Sequence, residues 1–574
     1  MTDSDGPTET TPGRKERAGF WAGLVLFALL LLTPPGKGMV DAARDTVAAE
    51  SRRTIAQSLL RRGFVADTPA FIAALDRELA AQDAYLTAEA QRRAQRMPRA
   101  AAVTALVAIW WMTVAIPIPV TSLLPLVLFP MLGVLPVREA AVPYANHYIF
   151  LFLGGFIIAQ GIERWGLHRR IALNLIGRIG TSRRRIVLAF MIATALLSMW
   201  MSNTATTVMM LPIALAVIGS IGTTRDDDGA FGAALMLAIC YSAGIGGLAT
   251  LIGTPTNLTF QGQFRLLFPA APEISFADWV LCFGPLTAIF LPIAWLVLTR
   301  VTCRVSAGTD PAHHRVLTDA LSKLPPISVS ERWMLGIFLT TAMLWMTRTG
   351  VRFDAFVIPG WQTLLHRASP SWFPMDYLND TTVALVMAVL LFILPGGRNR
   401  ENRPIPLMDW PTALRLPWGM LLLFGGGFTI AHAFQYTGLS GWTGKLLAGT
   451  GIEHPLAWVI GSCSLMTFLT ELTSNMATLQ VMLPVLARTS MQVEINPLVL
   501  MLPATISATC AFMLPVATPP NAIVFASGHV SMARMIRSGI LLNLIGIVLV
   551  TTVIYGWVLW RLGIDPNTVP TWVK

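Results

Sequence analysis

Ser198-Met-Trp-Met-Ser202-Asn203-Thr204-Ala-Thr-Thr-Val-Met-Met-Leu-Pro212 is written a second time in this chain, as Thr470-Glu-Leu-Thr-Ser474-Asn475-Met476-Ala-Thr-Leu-Gln-Val-Met-Leu-Pro484, at an offset of 272. Both copies lie in strongly apolar surroundings, where hydroxyls and amides are costly unless they bind something. A polar phrase repeated in such a setting predicts a transporter built from internal repeats.

The correspondence extends outward from the motif. Leu151-Phe-Leu-Gly-Gly-Phe156 returns as Leu423-Phe-Gly-Gly-Gly-Phe428, and Gly166-Leu167 returns as Gly438-Leu439, again at 272. Gly253-Thr254-Pro255-Thr256-Asn257 is answered by Ala517-Thr518-Pro519-Pro520-Asn521 at an offset of 264, because the second copy is eight residues shorter there. Proline interrupts helix propagation, so each motif is expected to be followed by a span that breaks at Thr-Pro-x-Asn.

Composition sets the class. With 54% hydrophobic and 13% charged residues over 574 positions, the chain is too apolar for an ordinary soluble protein. Runs such as 279–299, 380–395 and 538–560 approach or exceed the roughly 20 apolar residues that cross a bilayer as a helix, and the short alternating segments of a β-barrel are missing. The net charge of +11 is dispersed in loops between apolar runs, which fits membrane topology and argues against a nucleic-acid partner. Cys240, Cys282, Cys303, Cys463 and Cys510 stand singly, without metal-ligand spacing, and are expected to be packing residues. Neither His-Glu-x-x-His nor Gly-x-Ser-x-Gly occurs, and an enzyme is not expected.

Along the chain the reading is a disordered cytoplasmic tail (1–18), a first span (19–35), an extramembrane helical insertion (36–99) and scaffold spans (100–162). The first repeat's interfacial helix, hairpin and transport helices fill 163–299. A cytoplasmic linker (300–331), further scaffold spans (332–435) and the second repeat's interfacial helix, hairpin and transport helices (436–574) follow. Gly19 to Thr33 resembles a secretory segment, but Pro34-Pro35-Gly36-Lys37 offers no small-residue cleavage site, so it is read as a retained span. Ile116-Pro117-Ile118-Pro119 separates spans 100–117 and 119–134.

Charge orients the two copies. The first connector carries Arg164, Arg169, Arg170, Arg178, Arg183, Arg184 and Arg185, whereas its counterpart from Tyr436 to Glu453 carries only Lys445. The positive-inside rule then puts the first connector in the cytoplasm and the second outside, making the repeats inverted. Arg398, Arg400, Arg403, Arg534, Arg537 and the linker after Arg300 also fall inside if eleven spans are counted from a cytoplasmic N-terminus, and the C-terminus falls outside. The insertion falls outside as well, despite ten arginines against eight acids in 36–99; its length is near the limit of roughly 60 residues over which the rule holds.

Irregular backbone at membrane depth is tolerated where protein buries it or water reaches it. A helix break frees carbonyls on one side and aims N–H groups from the other, placing cation and anion sites side by side. Two re-entrant hairpin tips and two broken helices would converge near the midplane, supplying Ser198, Ser202, Asn203, Thr204, Thr254, Asn257, Thr470, Ser474, Asn475, Thr518 and Asn521. No Lys or Arg accompanies them, so a bound anion needs a mobile positive charge, and hydroxyl and carbonyl oxygens suit Na+. Glu471, the one acid in either hairpin tip, reads equally as a proton or cation ligand and as a structural hydrogen-bond acceptor. His432, aligned with Gln160, reads as a buried polar contact.

On these paired Ser-Asn-Thr hairpins and Thr-Pro breaks, residues 100–560 resemble the divalent anion:sodium symporters, which include sodium-coupled dicarboxylate, citrate and sulfate carriers. The resemblance implies an all-α polytopic fold of about eleven transmembrane helices, inverted repeats, an elevator-type mechanism and a homodimer in the inner membrane. It also implies Na+ as coupling ion, one near Ser198, Ser202, Asn203 and Gly246 or Gly247, another near Thr470, Ser474, Asn475 and Ala517. Substrate would meet Ser202, Asn203, Thr204, Thr254 and Pro255 from the first repeat, and Ser474, Asn475, Met476, Thr518 and Pro519 from the second. Met476 stands where the family's second motif usually has Thr. The expected activity is import of a small divalent anion, a C4-dicarboxylate such as succinate, with Na+; sulfate or tricarboxylate transport and sodium-independent exchange are the alternatives.

Overall fold

Caps and apolar faces recur along the chain and fix where its helices begin. Ser275 with Asp278, Ser328 with Glu331 and Asn379 with Thr382 each form reciprocal capping pairs, satisfying N–H groups that the first helical turn leaves unbonded. The computed structural model describes residues 14–573 except 67, 180–181, 220–228, 309–318, 320, 353–356, 376, 399–402, 450 and 453. Most of the tail 1–18, part of the linker 300–331, Arg400 and Glu453 therefore lie outside the described residues.

The described structure is helical apart from two short antiparallel ribbons. Gly350–Arg352 pairs with Val357–Pro359, and Pro395–Arg398 pairs with Pro404–Pro406. Five helical stretches are long and apolar enough to cross a membrane: Val137–Arg164, Ala230–Gly247, Phe276–Thr302, Pro455–Leu472 and Met532–Arg561. A further candidate, Glu16–Leu32 with Lys37–Arg61, bends by 77° at its break. Ile118–Met131, Asn203–Gly219, Asp380–Ile393 and Leu498–Thr509 are apolar but shorter. Several of the spans counted in the sequence are thus short or interrupted helices rather than continuous crossings.

Two compact units divide the chain. One comprises Met1–Tyr144, Leu422–Gly451 and Gln480–Val493; the other comprises Ala145–Leu421, Ile452–Leu479 and Glu494–Lys574.

In the first unit, helix Arg14–Leu32 lies on helix Asp83–Thr113, where Trp110 stacks on Phe20 at 5.0 Å and donates its indole N–H to the Phe20 carbonyl at 3.2 Å. The latter helix runs unbroken from the insertion into its apolar half and contains Pro98, so no helix boundary falls near 99. The insertion adds helices Lys37–Arg61 and Pro69–Ala81, joined by a small core of Ile55, Leu59, Phe71 and Leu75. Glycine is required at Gly427, because a Cβ there would occupy the place of the Gln480 side chain. His432 meets the Glu139 carboxylate at 3.4 Å, a polar contact as expected, but a part-exposed one rather than a buried one.

In the second unit, helix His147–Arg164 packs on Asp380–Ile393 through Gly154, whose missing Cβ leaves room for the Ala384 backbone at 2.8 Å. Arg348, 1% exposed, ties Asp380 (2.6 Å), Glu273 (2.6 Å) and Gln362 (2.8 Å) together, the full pairing that a buried guanidinium needs. All five cysteines are buried and unbonded to one another, as packing residues should be.

Candidate functional site

Every residue assigned above to anion or cation binding lies in the second unit. The first motif sits in a helix–break–helix, Arg183–Ser198 and Asn203–Gly219; the second sits in Pro455–Leu472 and Asn475–Gln492. The Thr-Pro breaks separate Ala230–Gly247 from Pro255–Leu267, and Leu498–Thr509 from Pro519–Ala526. Local chemistry explains the restarts. Ser202 Oγ accepts from the Ala205 N–H at 3.2 Å and Thr518 Oγ1 from the Asn521 N–H at 3.3 Å, while Pro255 and Pro519 occupy the first helical turn, where no donor is needed.

The two breaks are braced identically. Asn257 donates its amide to the carbonyls of Gly247 (3.1 Å) and Thr250 (2.8 Å), and Asn521 donates to those of Ala511 (3.0 Å) and Leu514 (3.1 Å). Both amides are buried. Their donors are thus spent on holding the unwound backbone, while Asn257 Oδ1 is buried with no hydrogen-bond partner among the described residues.

Each hairpin break is joined to the broken helix of its own repeat. In the first repeat Gly246 lies against the Ala195 carbonyl, too close for any Cβ, and a Cβ at Gly253 would meet the Ser198 carbonyl at 3.0 Å. Thr250 donates its hydroxyl to the Met199 carbonyl. The Asn203 amide meets three oxygens on one side: Ser198 Oγ at 2.7 Å, Ala243 O at 3.0 Å and Gly253 O at 3.2 Å. Turned with its nitrogen toward them, it donates into that cluster. Gly247 closes the same spot, since a Cβ there would come within 2.8 Å of the Asn203 amide.

In the second repeat the join uses a carboxylate. Glu471, 3% exposed, accepts from the backbone N–H groups of Met513 (2.9 Å) and Leu514 (3.0 Å) and from the Asn543 amide (2.6 Å). Met199 and Glu471 are equivalent at the offset of 272, and Thr250 and Leu514 at 264. The joint is conserved between repeats while its donor and acceptor differ. Of the two roles open to Glu471, the structure displays the hydrogen-bond acceptor.

The repeats also touch each other. Thr256 and Thr509 share a hydrogen bond at 2.8 Å, and Thr259 donates to the Met476 sulfur at 3.3 Å. Helix Asn203–Gly219 packs against Pro519–Ala526, and Pro255–Leu267 against Leu498–Thr509. Asn475 starts the second hairpin's outgoing helix as Asn203 starts the first, and its Oδ1 is buried with no hydrogen-bond partner among the described residues. Thr470 turns its hydroxyl back to the Met466 carbonyl at 2.8 Å. Ser202, Thr204, Ser474, Pro255 and Thr518 are half-buried, Thr254 and Ala517 are buried, and Pro519 is exposed.

Chemically, these are neutral oxygens beside unpaired helix ends, with no basic side chain in any break. Among the described residues no three His, Cys, Asp or Glu side chains converge as a transition-metal centre. Sequence reasoning missed Thr250, Thr256, Thr259, Thr509 and Asn543, and Ala243 acts through its carbonyl. Thr250 lies seven residues before Asn257, as Leu514 does before Asn521, but the two equivalent positions share no residue type.

Comparison with known proteins gives the family. The family model described as the sodium:sulfate symporter transmembrane region matches residues 91–563. The sodium-dependent dicarboxylate transporter SdcS of Staphylococcus saprophyticus is 41% identical over 470 residues, 81% of this chain and 86% of that protein. SdcS of Staphylococcus aureus strain NCTC 8325 is 40% identical over 472 residues, 81% and 87%. The solved structure of Neisseria gonorrhoeae MtrF, of a class of antimetabolite efflux pumps, shares the fold at TM-score 0.50 and 13% identity, over 76% of this chain and 85% of that one. The chain is therefore a multi-pass membrane transporter rather than an enzyme, and it belongs to the sodium:sulfate symporter transmembrane-region family.

Proposed function

We propose that this protein imports a small dianion, a C4-dicarboxylate such as succinate, together with Na+. The observation that carries this is the oxygen cluster at the first hairpin, where Ser198 Oγ, Ala243 O and Gly253 O lie 2.7–3.2 Å from one end of the Asn203 amide. Turning the amide nitrogen inward satisfies the cluster without an ion; a hard cation among oxygens satisfies it with the amide oxygen inward. The unpartnered Asn475 Oδ1 offers a ligand at the equivalent place in the second repeat. With no Lys or Arg at the breaks, bound Na+ supplies the positive charge that draws in the dianion, so anion binding follows cation binding. The relatives named for sodium-dependent dicarboxylate transport support that choice of ions.

In this reading Na+ sits near Ser198, Ser202, Asn203 and Gly246 or Gly247, and near Thr470, Ser474, Asn475 and Ala517. Substrate carboxylates meet Ser202, Asn203, Thr204, Thr254, Pro255, Ser474, Asn475, Thr518 and Pro519, with Met476 alongside. The hairpins are re-entrant, the repeats inverted, and eleven membrane segments leave the N-terminus cytoplasmic and the C-terminus outside the inner membrane. The protein works as a homodimer by an elevator mechanism.

Uptake of labelled succinate into proteoliposomes tests the activity. Saturable uptake that requires an inward Na+ gradient and resists excess sulfate is expected. Uptake indifferent to Na+ would support exchange, and competition by sulfate would reassign the substrate.

A further inference from the structure

We infer that the first unit carries a binding site for a phosphate group, the headgroup phosphate of an anionic phospholipid, in a cavity of about 180 Å³ between the insertion and the second repeat. Its walls come from helices Lys37–Arg61 and Leu439–Ala448 and from the end of Asn475–Gln492. The first of these helices precedes the stretch matched by the family model, residues 91–563.

The walls are held by close backbone approaches. A Cβ at Gly438 would meet Thr46 Oγ1 at 2.9 Å, and one at Gly444 would meet the Arg488 backbone at 3.0 Å. Helix Leu439–Ala448 is thereby clamped between its neighbours, and Ala42, Ala49 and Gly441 leave the space between them unfilled.

The charge in this space is positive. Both acids that line it are engaged, Asp45 with Lys445 at 2.6 Å and Glu50 with Arg93 at 2.8 Å. Arg488 also lines it, and its one hydrogen-bond contact among the described residues is the Met491 sulfur at 3.8 Å. Burial weighs most against its charge, the nearby guanidinium of Arg53 repels it as well, and Glu50 offsets only part of this. Two guanidiniums facing one void favour a group with several anionic oxygens, which a planar fork binds well. A lipid source is favoured by the apolar side chains beside the charges, since Leu446 is 61% and Leu60 45% exposed, and basic pockets near a membrane surface take headgroups.

The test is thermal unfolding of the purified full-length protein in detergent, titrated with water-soluble short-chain phosphatidylglycerol, phosphatidylcholine or inorganic phosphate. Phosphatidylglycerol is expected to raise the midpoint saturably. Arg488→Gln and Arg53→Gln should each move half-saturation about ten-fold or more upward, the loss expected for a charge-assisted contact. Arg53 is solvent-exposed, so its variant carries the test if Arg488→Gln fails to fold. Variants that follow the wild-type curve, or phosphatidylcholine acting as well as phosphatidylglycerol, overturn the site. Inorganic phosphate that reproduces the whole shift at equal concentration overturns the lipid assignment. None of these readouts needs transport activity.

Discussion

Asn257 and Asn521, 264 positions apart, each donate a buried amide to the carbonyls ten and seven residues before them. The same knot is tied twice, and in each copy one side-chain amide holds the unwound backbone in shape.

Replacing either asparagine by Ala strands two buried carbonyls, at about 1–3 kcal/mol for each unsatisfied group. Asn257→Asp and Asn521→Asp should be worse, because an isosteric carboxylate then faces two carbonyl oxygens. Melting curves of the four variants check the order; unchanged midpoints would mean that the breaks hold their shape by other contacts.

Glu471 and Thr250 make the same joint with different chemistry. Hydrogen bonds to a charged group are worth about 1.5–3 kcal/mol and neutral ones about 0.5–1.5 kcal/mol, so Glu471→Gln should lower the melting midpoint more than Thr250→Val. Glu471→Gln should also raise the Na+ concentration needed for half-maximal uptake, because the proposed cation ligands Thr470, Ser474 and Ala517 flank the joint. Equal, small effects of both would show that the joint is dispensable.

Met476 is 6% exposed and takes a hydrogen bond from Thr259. Thr in its place brings a hydroxyl donor, which a thioether lacks, and Met476→Thr should tighten dicarboxylate half-saturation about ten-fold, the worth of one hydrogen bond to a charged group. Na+ dependence should persist. Weaker binding would mean that the sulfur packs against an apolar part of the substrate; no change would place residue 476 outside the binding site.

The proposed inversion of the repeats is open to labelling. Arg178→Cys should react with an impermeant thiol reagent from the cytoplasmic face, and Lys445→Cys from the outer face. Reaction of both from one face would refute the opposed orientations.

Glu331 lies ahead of the apolar run 333–347. Burial raises its pKa, but the Arg170 guanidinium at 2.7 Å and the Ser328 cap outweigh this and hold it below the usual value. A depressed carboxyl stabilises the fold above its unfolded pKa of about 4.3 and loses that contribution as pH falls through the folded value. The difference in melting midpoint between wild type and Glu331→Gln should therefore be largest near neutrality and shrink below about pH 4. A difference independent of pH would exclude the ion pair as its source.

Repetition made much of this molecule legible. Two offsets located both motif segments and both Thr-Pro breaks, whereas the close approaches at Gly154 and Gly427 come from the structure. Direction was illegible: Asn203 and Asn257 are the same residue in similar surroundings, yet one lies at the hairpin tip and the other is spent on its own loop, and composition does not say where an amide points. The joint at Thr250 was hidden because its partner copy uses a backbone donor at Leu514, leaving no residue type in common. The insertion is expected from the sequence to end at residue 99, but the helix continues through Pro98 and tolerates one missing rung because both sides are packed; Met97, Pro98 and Ala100 are buried.

That helix has a practical meaning. At about 1.5 Å per residue, the 31 residues of Asp83–Thr113 form a lever of roughly 45 Å joining the added helices to the body of the first unit. A fluorophore or spin label on Tyr85, 62% exposed, would ride on that lever as a pointer on a shaft. Under the proposed elevator mechanism, such a tag would supply a reference point against which displacement of the binding residues during a transport cycle could be measured, without touching any of them.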